Sequence, residues 1–325
     1  MAKSILLRIG LVLITIVAVG LGRGFFFYRG FYSPTPNEIP NYEKFTVPPA
    51  PTTEFTDNYT QSEGIILIDL AHENAFDKEE LNVLLARLVS RGLTIKFLSA
   101  EDDLKKELLG KSEEEEKVTD EEKELAEKPL GKETVSEQEE ATVEEEPAEE
   151  LKPADVFIVI SPALEFSKEE MKTIDEFMKN GKLLLIADPT RLSEINSISL
   201  TFGVLFESDY LYNMKENEIN YRNIFLSEFK ENGLTKGLKK IALYTAGSIS
   251  SAESGIVFID ENTFSSVIES RKRLSPIALA QDAKVLAIHD LTFMTEPNNG
   301  TLDNNRLIAN IADWLKSPGE KTKPK

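Results

Sequence analysis

Cysteine is absent from all 325 residues. That absence excludes disulfides, thiolate metal sites and a cysteine nucleophile together, and it fits an exported prokaryotic protein. Histidine is scarce, with only His72 and His289. Neither stands in a His-x-x-x-His or His-x-Asp pattern, so no metal signature can be read from spacing, and no cofactor is expected. Glycine-rich phosphate cradles are missing too. No G-x-G-x-x-G follows an apolar run and no P-loop motif occurs, which leaves dinucleotide and nucleoside-triphosphate chemistry without support.

Charge is abundant but one-sided and local. The chain has a net charge of −19, and Glu101 to Glu150 alone holds 22 acids and 7 lysines. The remainder is close to neutral. No basic stripe marks a nucleic-acid footprint, and none is expected as a partner.

Ile9 to Gly22 is an uncharged apolar block between Arg8 and Arg23. Extended from Ile5 to Phe27, with both arginines snorkelling, it reaches about the twenty residues of a membrane span. Aromatics from Phe25 to Tyr32 form a headgroup belt. A cleaved signal peptide is the competing reading, but Ala18-Val19-Gly20 is a poor small-residue site. Residues 1–32 are therefore expected to anchor the chain in the membrane, with a weak charge bias toward a body outside the cytoplasm. Residues 33–63 carry six prolines, Pro34 to Pro51, and read as an extended stalk.

Residues 64–315 read as one α/β domain. Within Ile65 to Phe76, IILIDLAHENAF, the apolar run Ile65 to Leu70 is a buried strand, and an acid, a histidine and an asparagine form the polar mouth at its carboxyl end. A helix over Asp77 to Arg91 and a strand over Leu93 to Leu98 complete a βαβ unit, so those strands should be parallel. Asp102 to Leu109 is a short helix candidate. The insert 110–153 has too little apolar surface to offset its ordering entropy and is expected to be a disordered spacer. Ala154 to Ile160 is the next strand, and Ser167 with Glu170 forms a capping box for a helix ending at Gly181. Lys182 to Ala187 is a strand, and Leu192 to Asn232 an aromatic-rich lobe at the sheet edge. Short strands are expected at 241–245, 255–259, 276–280 and 284–288. A helix over Asn304 to Leu315 closes the domain, followed by a frayed basic tail, 316–325. The fold class is thus α/β, a doubly wound, mostly parallel sheet with helices on both faces and an N-terminal transmembrane helix.

Polar clusters sit where open α/β sheets bind ligands, at strand carboxyl ends. Asp69, His72 and Asn74 follow the first strand, Asp188 and Arg191 the fourth, and His289 and Asp290 the last, with Asn304 opening the final helix. These eight residues are the candidate binding crevice. They can shape a binding site, hold a two-His, two-Asp metal, or simply cap helices and bond loop backbone. Ser161 follows a strand, yet it lacks the glycine-flanked elbow, and Pro162 removes a potential oxyanion donor, so no catalytic residue is assigned.

The segments DLAHENAF, RGLTIKFL, ADVFIVISP, SKEEMKTIDEF and NGKLLLIADP, with VLAIHDLTFMT near the end, resemble the class I glutamine-amidotransferase-like fold. More narrowly they are similar to GldG-like proteins, membrane-anchored auxiliary components of ABC-type transport. The resemblance implies a flavodoxin-like or amidotransferase-like sheet and a protein partner in a membrane complex. In amidotransferases the strand matching Leu183 to Ala187 leads to the catalytic cysteine. Asp188-Pro189 stands there here, which argues against glutaminase activity. The expected role is a noncatalytic extracytoplasmic binding or accessory module. A hydrolase using the crevice acids and histidines is the alternative, and a spacer acting through its acidic arm the third.

Overall fold

The computed structural model describes residues 2–27, 53–110, 152–215, 221–251, 255–269 and 273–316. They belong to two units, Met1–Pro49 and Ala50–Lys325. The first contributes helix α1, Ala2–Phe27. Its stretch Lys3–Phe26 is long and apolar enough to cross a membrane, and its apolar side chains, Leu6, Leu7 and Phe26 among them, are exposed. A helix apolar on all sides and uncovered by protein suits a lipid environment. Most of the expected stalk, the acidic insert and the basic tail lie outside the described residues.

In the second unit the first half of the chain alternates strand and helix. The elements are β1 (Ile65–Asp69), α2 (Asn82–Ser90), β2 (Thr94–Leu98), α3 (Leu104–Leu109), β3 (Val156–Ile160), α4 (Lys168–Phe177) and β4 (Lys182–Ile186). A lobe of short pieces follows: α5 (Asn196–Ser199), β5 (Leu205–Phe206), β6 (Leu211–Asn213), β7 (Asn223–Leu226), β8 (Glu228–Phe229), β9 (Ile241–Tyr244), β10 (Ile249–Ser250), β11 (Gly255–Phe258) and β12 (Thr263–Ser265). The closing elements are β13 (Ile277–Ala280), β14 (Val285–Ile288) and α6 (Asn304–Trp314).

Eight strands make one sheet in the order β2-β1-β3-β4-β14-β13-β11-β8. The first five are mutually parallel, and β13, β11 and β8 extend the sheet antiparallel. Three two-stranded ladders, β5 with β10, β6 with β12 and β7 with β9, build the lobe.

Alternation along each strand explains the unbroken apolar runs. Ile66, Ile68, Ile158 and Leu184 face a core shared with Leu84 and Leu88 of α2 and Leu307, Ile308 and Ile311 of α6. Leu67, Phe157, Val159 and Leu185 face the opposite core with Leu108 of α3 and Ile174 and Phe177 of α4. A strand buried on both sides carries apolar residues at every position. Truncating a central one such as Phe157, fully buried, would cost about 3–5 kcal/mol. The helices start where capping chemistry directs. Asp103 accepts from the amides of Lys105 and Lys106, and Ser167 and Glu170 exchange reciprocal bonds, Glu170 N to Ser167 Oγ at 3.2 Å and Ser167 N to Glu170 Oε2 at 2.7 Å.

Residues 53–63, expected as the last part of the stalk, instead run along the domain. Asp57 accepts from Arg87 Nη1 at 2.6 Å and Arg91 Nη2 at 2.9 Å. Arg91 also donates to Asp313 at 2.8 Å and stacks under Tyr59, its guanidinium carbon 4.8 Å from the ring centre. Phe55 lies between Arg87 and Arg306, and the Ser62 amide donates to Arg91 O at 2.8 Å. Arg91, fully buried, needs carboxylate partners, and Asp57 supplies one from outside the sheet's own elements.

Candidate functional site

Strand order reverses beside β1, with β2 on one side and β3 on the other. Loops leaving such neighbours part in opposite directions and leave a crevice outside their carboxyl ends. Asp69, His72 and Asn74 lie at this point. The Asp69 carboxylate accepts from the Ala71 amide at 3.1 Å, from His72 Nδ1 at 3.0 Å and from Asn74 Nδ2 at 3.2 Å. His72 Nε2 is 3.4 Å from Glu170 Oε1, and its ring stacks on Phe166 with centres 3.8 Å apart. Both imidazole nitrogens therefore face carboxylates. Burial pulls the His72 pKa down, but the bond and charge of Asp69, with Glu170 beyond, outweigh it and leave it raised.

Asn74 Nδ2 also donates to Ile160 O at 2.9 Å, tying the β1 loop to the end of β3. There Ser161 adopts φ 40°, a left-handed conformation that costs a non-glycine residue about 1–3 kcal/mol. Its hydroxyl is fully enclosed, and neither Ser161 Oγ nor Asn74 Oδ1 has a partner among the described residues.

The second cluster surrounds a cavity of about 260 Å3 beyond β4 and β14, lined by Asp188, Arg191, Asn196, Phe206, Tyr210 and His289 among others. Asp188 Oδ1 accepts from Thr190 N at 2.9 Å and Thr190 Oγ1 at 2.5 Å. Its Oδ2 accepts from Thr292 Oγ1 at 3.1 Å and Leu291 N at 3.4 Å. Arg191 forks onto Glu80, at 2.7 and 2.5 Å, and donates to Ala75 O at 2.8 Å. The bond to Glu80 holds the Arg191 pKa above its ordinary value. Arg191 thus fastens the loop after β4 to the loop after β1.

His289 Nδ1 lies 3.0 Å from Ser248 O. A carbonyl only accepts, so Nδ1 carries the proton and Nε2 is left as an acceptor. Burial lowers the His289 pKa, the opposite of His72. Asp209, also lining the cavity, accepts from the amide and hydroxyl of Ser248, each at 2.8 Å, and from Ser265 Oγ at 2.5 Å.

Asp290 and Asn304 are not brought into the cavity lining. Asp290 is fully buried and accepts from Tyr244 N at 2.6 Å and Phe293 N at 3.3 Å. Burial, then the charge of Asp188, push its pKa well above the carboxylate range. Asn304 pairs with both backbone groups of Ala242, at 3.0 and 2.8 Å, and donates to Asn298 O at 3.0 Å. It stitches α6 to β9. Among the described residues no group of three or more His, Cys, Asp or Glu could hold a metal ion.

Sequence reasoning missed Glu170 and Phe166 as partners of His72, because the capping-box role of Glu170 already accounted for it. It read Phe206 and Tyr210 as core packing of the aromatic-rich lobe in preference to a ligand platform, and it missed Asp209. Their approach depends on β5 pairing β10, a contact with no local signal.

No protein-family model matches the chain, and no curated protein matches it. Solved structures do. The mmIFT52 N-terminal domain is similar at a TM-score of 0.56 and 12% identity, over 78% of this chain and 98% of that one. A ThuA-like protein from Bacteroides uniformis gives a TM-score of 0.40 at 10% identity, over 82% of this chain and 97% of that one. Another from Parabacteroides merdae gives 0.41 at 9% identity, over 82% and 93%. At such identities the likeness concerns the fold alone.

Proposed function

We propose that the chain is a noncatalytic, membrane-anchored binding or accessory module whose α/β domain stands outside the cytoplasm. The finer fold reading is a doubly wound sheet of the flavodoxin-like or class I glutamine-amidotransferase-like kind. The reversal of strand order beside β1 and the two apolar cores on opposite sides of the sheet support it. The GldG-like resemblance gives the partner class, a component of an ABC-type transport complex.

One observation carries the noncatalytic reading. Apart from His289, whose Nε2 is left as an acceptor, the polar groups at the strand ends are engaged with one another and with loop backbone: His72 by Asp69 and Glu170, Asp188 by four internal donors, Arg191 by Glu80. General acid–base work needs a group free to exchange a proton with substrate. Crosslinking mass spectrometry on native membranes containing the full chain tests the proposal. Links from the domain to a transporter permease or ATPase are the expected result. A chain linked to no transport protein would contradict the partner class, and hydrolytic turnover lost in folded His289→Ala would contradict the noncatalytic reading.

A further inference from the structure

Away from the crevice, the segment from Lys230 to Lys240 lies along α6. Asn310 Nδ2 donates to Leu234 O at 2.8 Å and Lys236 O at 3.0 Å, and the amides of Lys239 and Lys240 donate to Asp303 Oδ2 at 2.7 and 3.0 Å. These bonds fix the backbone and leave the lysine heads outward: Lys230, Lys236 and Lys239 are exposed. Arg306 of α6 joins them, with its Nη1 3.3 Å from where a Cβ on Gly237 would stand. Among the described residues none of Lys230, Lys236, Lys239, Lys240 or Arg306 forms an ion pair. Lys240 sits over the Phe225 ring at 5.0 Å and Arg306 over Phe55 at 5.0 Å, contacts that leave the charge in place. The carboxylates on the same elements are Glu231, exposed, Asp303, whose buried oxygen is held by backbone amides, and Asp313 near the far end of α6, paired with Arg91 and Lys316. Glu54 adjoins Phe55 on the segment 53–63, the strap that runs along the domain. Cations exceed carboxylates here, on a chain whose net charge is −19.

This patch lies at the strap's upstream end. Phe55, beneath Arg306, follows the apolar helix Lys3–Phe26 by about thirty residues of sequence. A tether of a few tens of residues holds a domain at high effective concentration against the surface it is anchored to. An anionic leaflet attracts lysines and arginines with about 1 kcal/mol for each one near the surface. We infer that Lys230, Lys236, Lys239, Lys240 and Arg306 form a docking face for the anionic headgroups of the lipid bilayer, fixing which side of the domain turns to the membrane.

The cysteine-free chain makes a clean test. Gly233 lies inside the segment, and a Cβ there meets nothing within 4 Å, so Gly233→Cys carries a fluorophore without disturbing the fold. Leu200→Cys, at a side chain 57% exposed on the lobe, is the control. The full chain is placed in nanodiscs containing a headgroup-labelled quencher. Strong quenching at position 233, weak at 200, is expected in phosphatidylcholine with phosphatidylglycerol, and its loss in pure phosphatidylcholine or high salt. Lys236→Gln with Lys239→Gln should lower the ratio of docked to free domain about 25-fold, about fivefold for each charge, with thermal unfolding unchanged. Equal quenching in both lipids, or quenching indifferent to the lysine variant, overturns the inference. Quenching that emerges only after residues 111–151 are deleted also overturns it, because the acidic segment would then be the patch's occupant. Successful insertion into the nanodisc reports on the anchor separately from the docking face.

Discussion

Arg91→Met offers a stringent test of how the strap is held. Methionine keeps most of the buried stem and removes five donated hydrogen bonds. Three go to carboxylates, Nε to Asp313 at 2.8 Å and Nη1 and Nη2 to Asp57 at 3.1 and 2.9 Å. The other two reach Arg87 O at 3.1 Å and Ala309 O at 3.3 Å. Removing one member of a fully buried ion pair costs about 3–5 kcal/mol. Here the orphaned acids are 20% and 42% exposed, and each keeps a cation, Arg87 for Asp57 and Lys316 for Asp313. Solvent and these second partners place the loss at the low end, about 3 kcal/mol. For a domain of this size that lowers the melting temperature by about 6–12 °C. The assay is urea unfolding followed by the fluorescence of Trp314, the chain's only tryptophan and the neighbour of Asp313. A lower midpoint with an unchanged slope is expected. Asp57→Asn should show part of the loss, and the double variant less than the sum. A loss under about 1 kcal/mol for Arg91→Met, or strict additivity with Asp57→Asn, would refute the reasoning.

Asn304→Ala leaves both backbone groups of Ala242 unpaired in the core and should cost about 2–4 kcal/mol in the same assay. Gly247→Ala places a methyl against the His289 ring; lowered stability together with a changed His289 titration would confirm that packing, and a neutral result would dismiss it. For His72 the folded pKa lies above the unfolded one, about 6.5. The stabilisation it gives is complete below that value and fades as pH rises through the folded pKa. The stability gap between wild type and His72→Gln should therefore be widest near pH 5.5 and shrink toward pH 9. A gap that widens with pH would reverse the assignment.

The parallel half of the sheet was readable because each strand is a short apolar run between explicit stops. The run from Ile65, the strand before Ser161 and the run from Lys182 appear within two residues of expectation. The Ser167 capping box is formed as read. The strap was not readable, since residues 53–63 are mostly polar and carry no periodic apolar pattern, and they look alike whether the segment is free or tied down by Asp57 and Phe55. Asn304 and Asp290 share the residue types of a binding crevice, yet their partners are the backbone of β9 and the turn at Phe293, set by tertiary packing that no local pattern records. The antiparallel strands β13 and β11 were visible only as short apolar pieces, because nothing in four residues specifies a partner direction, and β8, two residues inside the expected lobe, was not visible at all.

The central claim is that the strand-end groups are held by the protein itself, with His72 clamped between two carboxylates and His289 buried as a neutral acceptor. With only two histidines in the chain, selective labelling of the imidazole Cε1 and an NMR titration of the full chain in detergent yields two curves, assigned through His72→Gln and His289→Gln. His72 is predicted to titrate above the ordinary histidine value and His289 below it. His72 titrating at or below that value, or both together near about 6.5, would contradict the account.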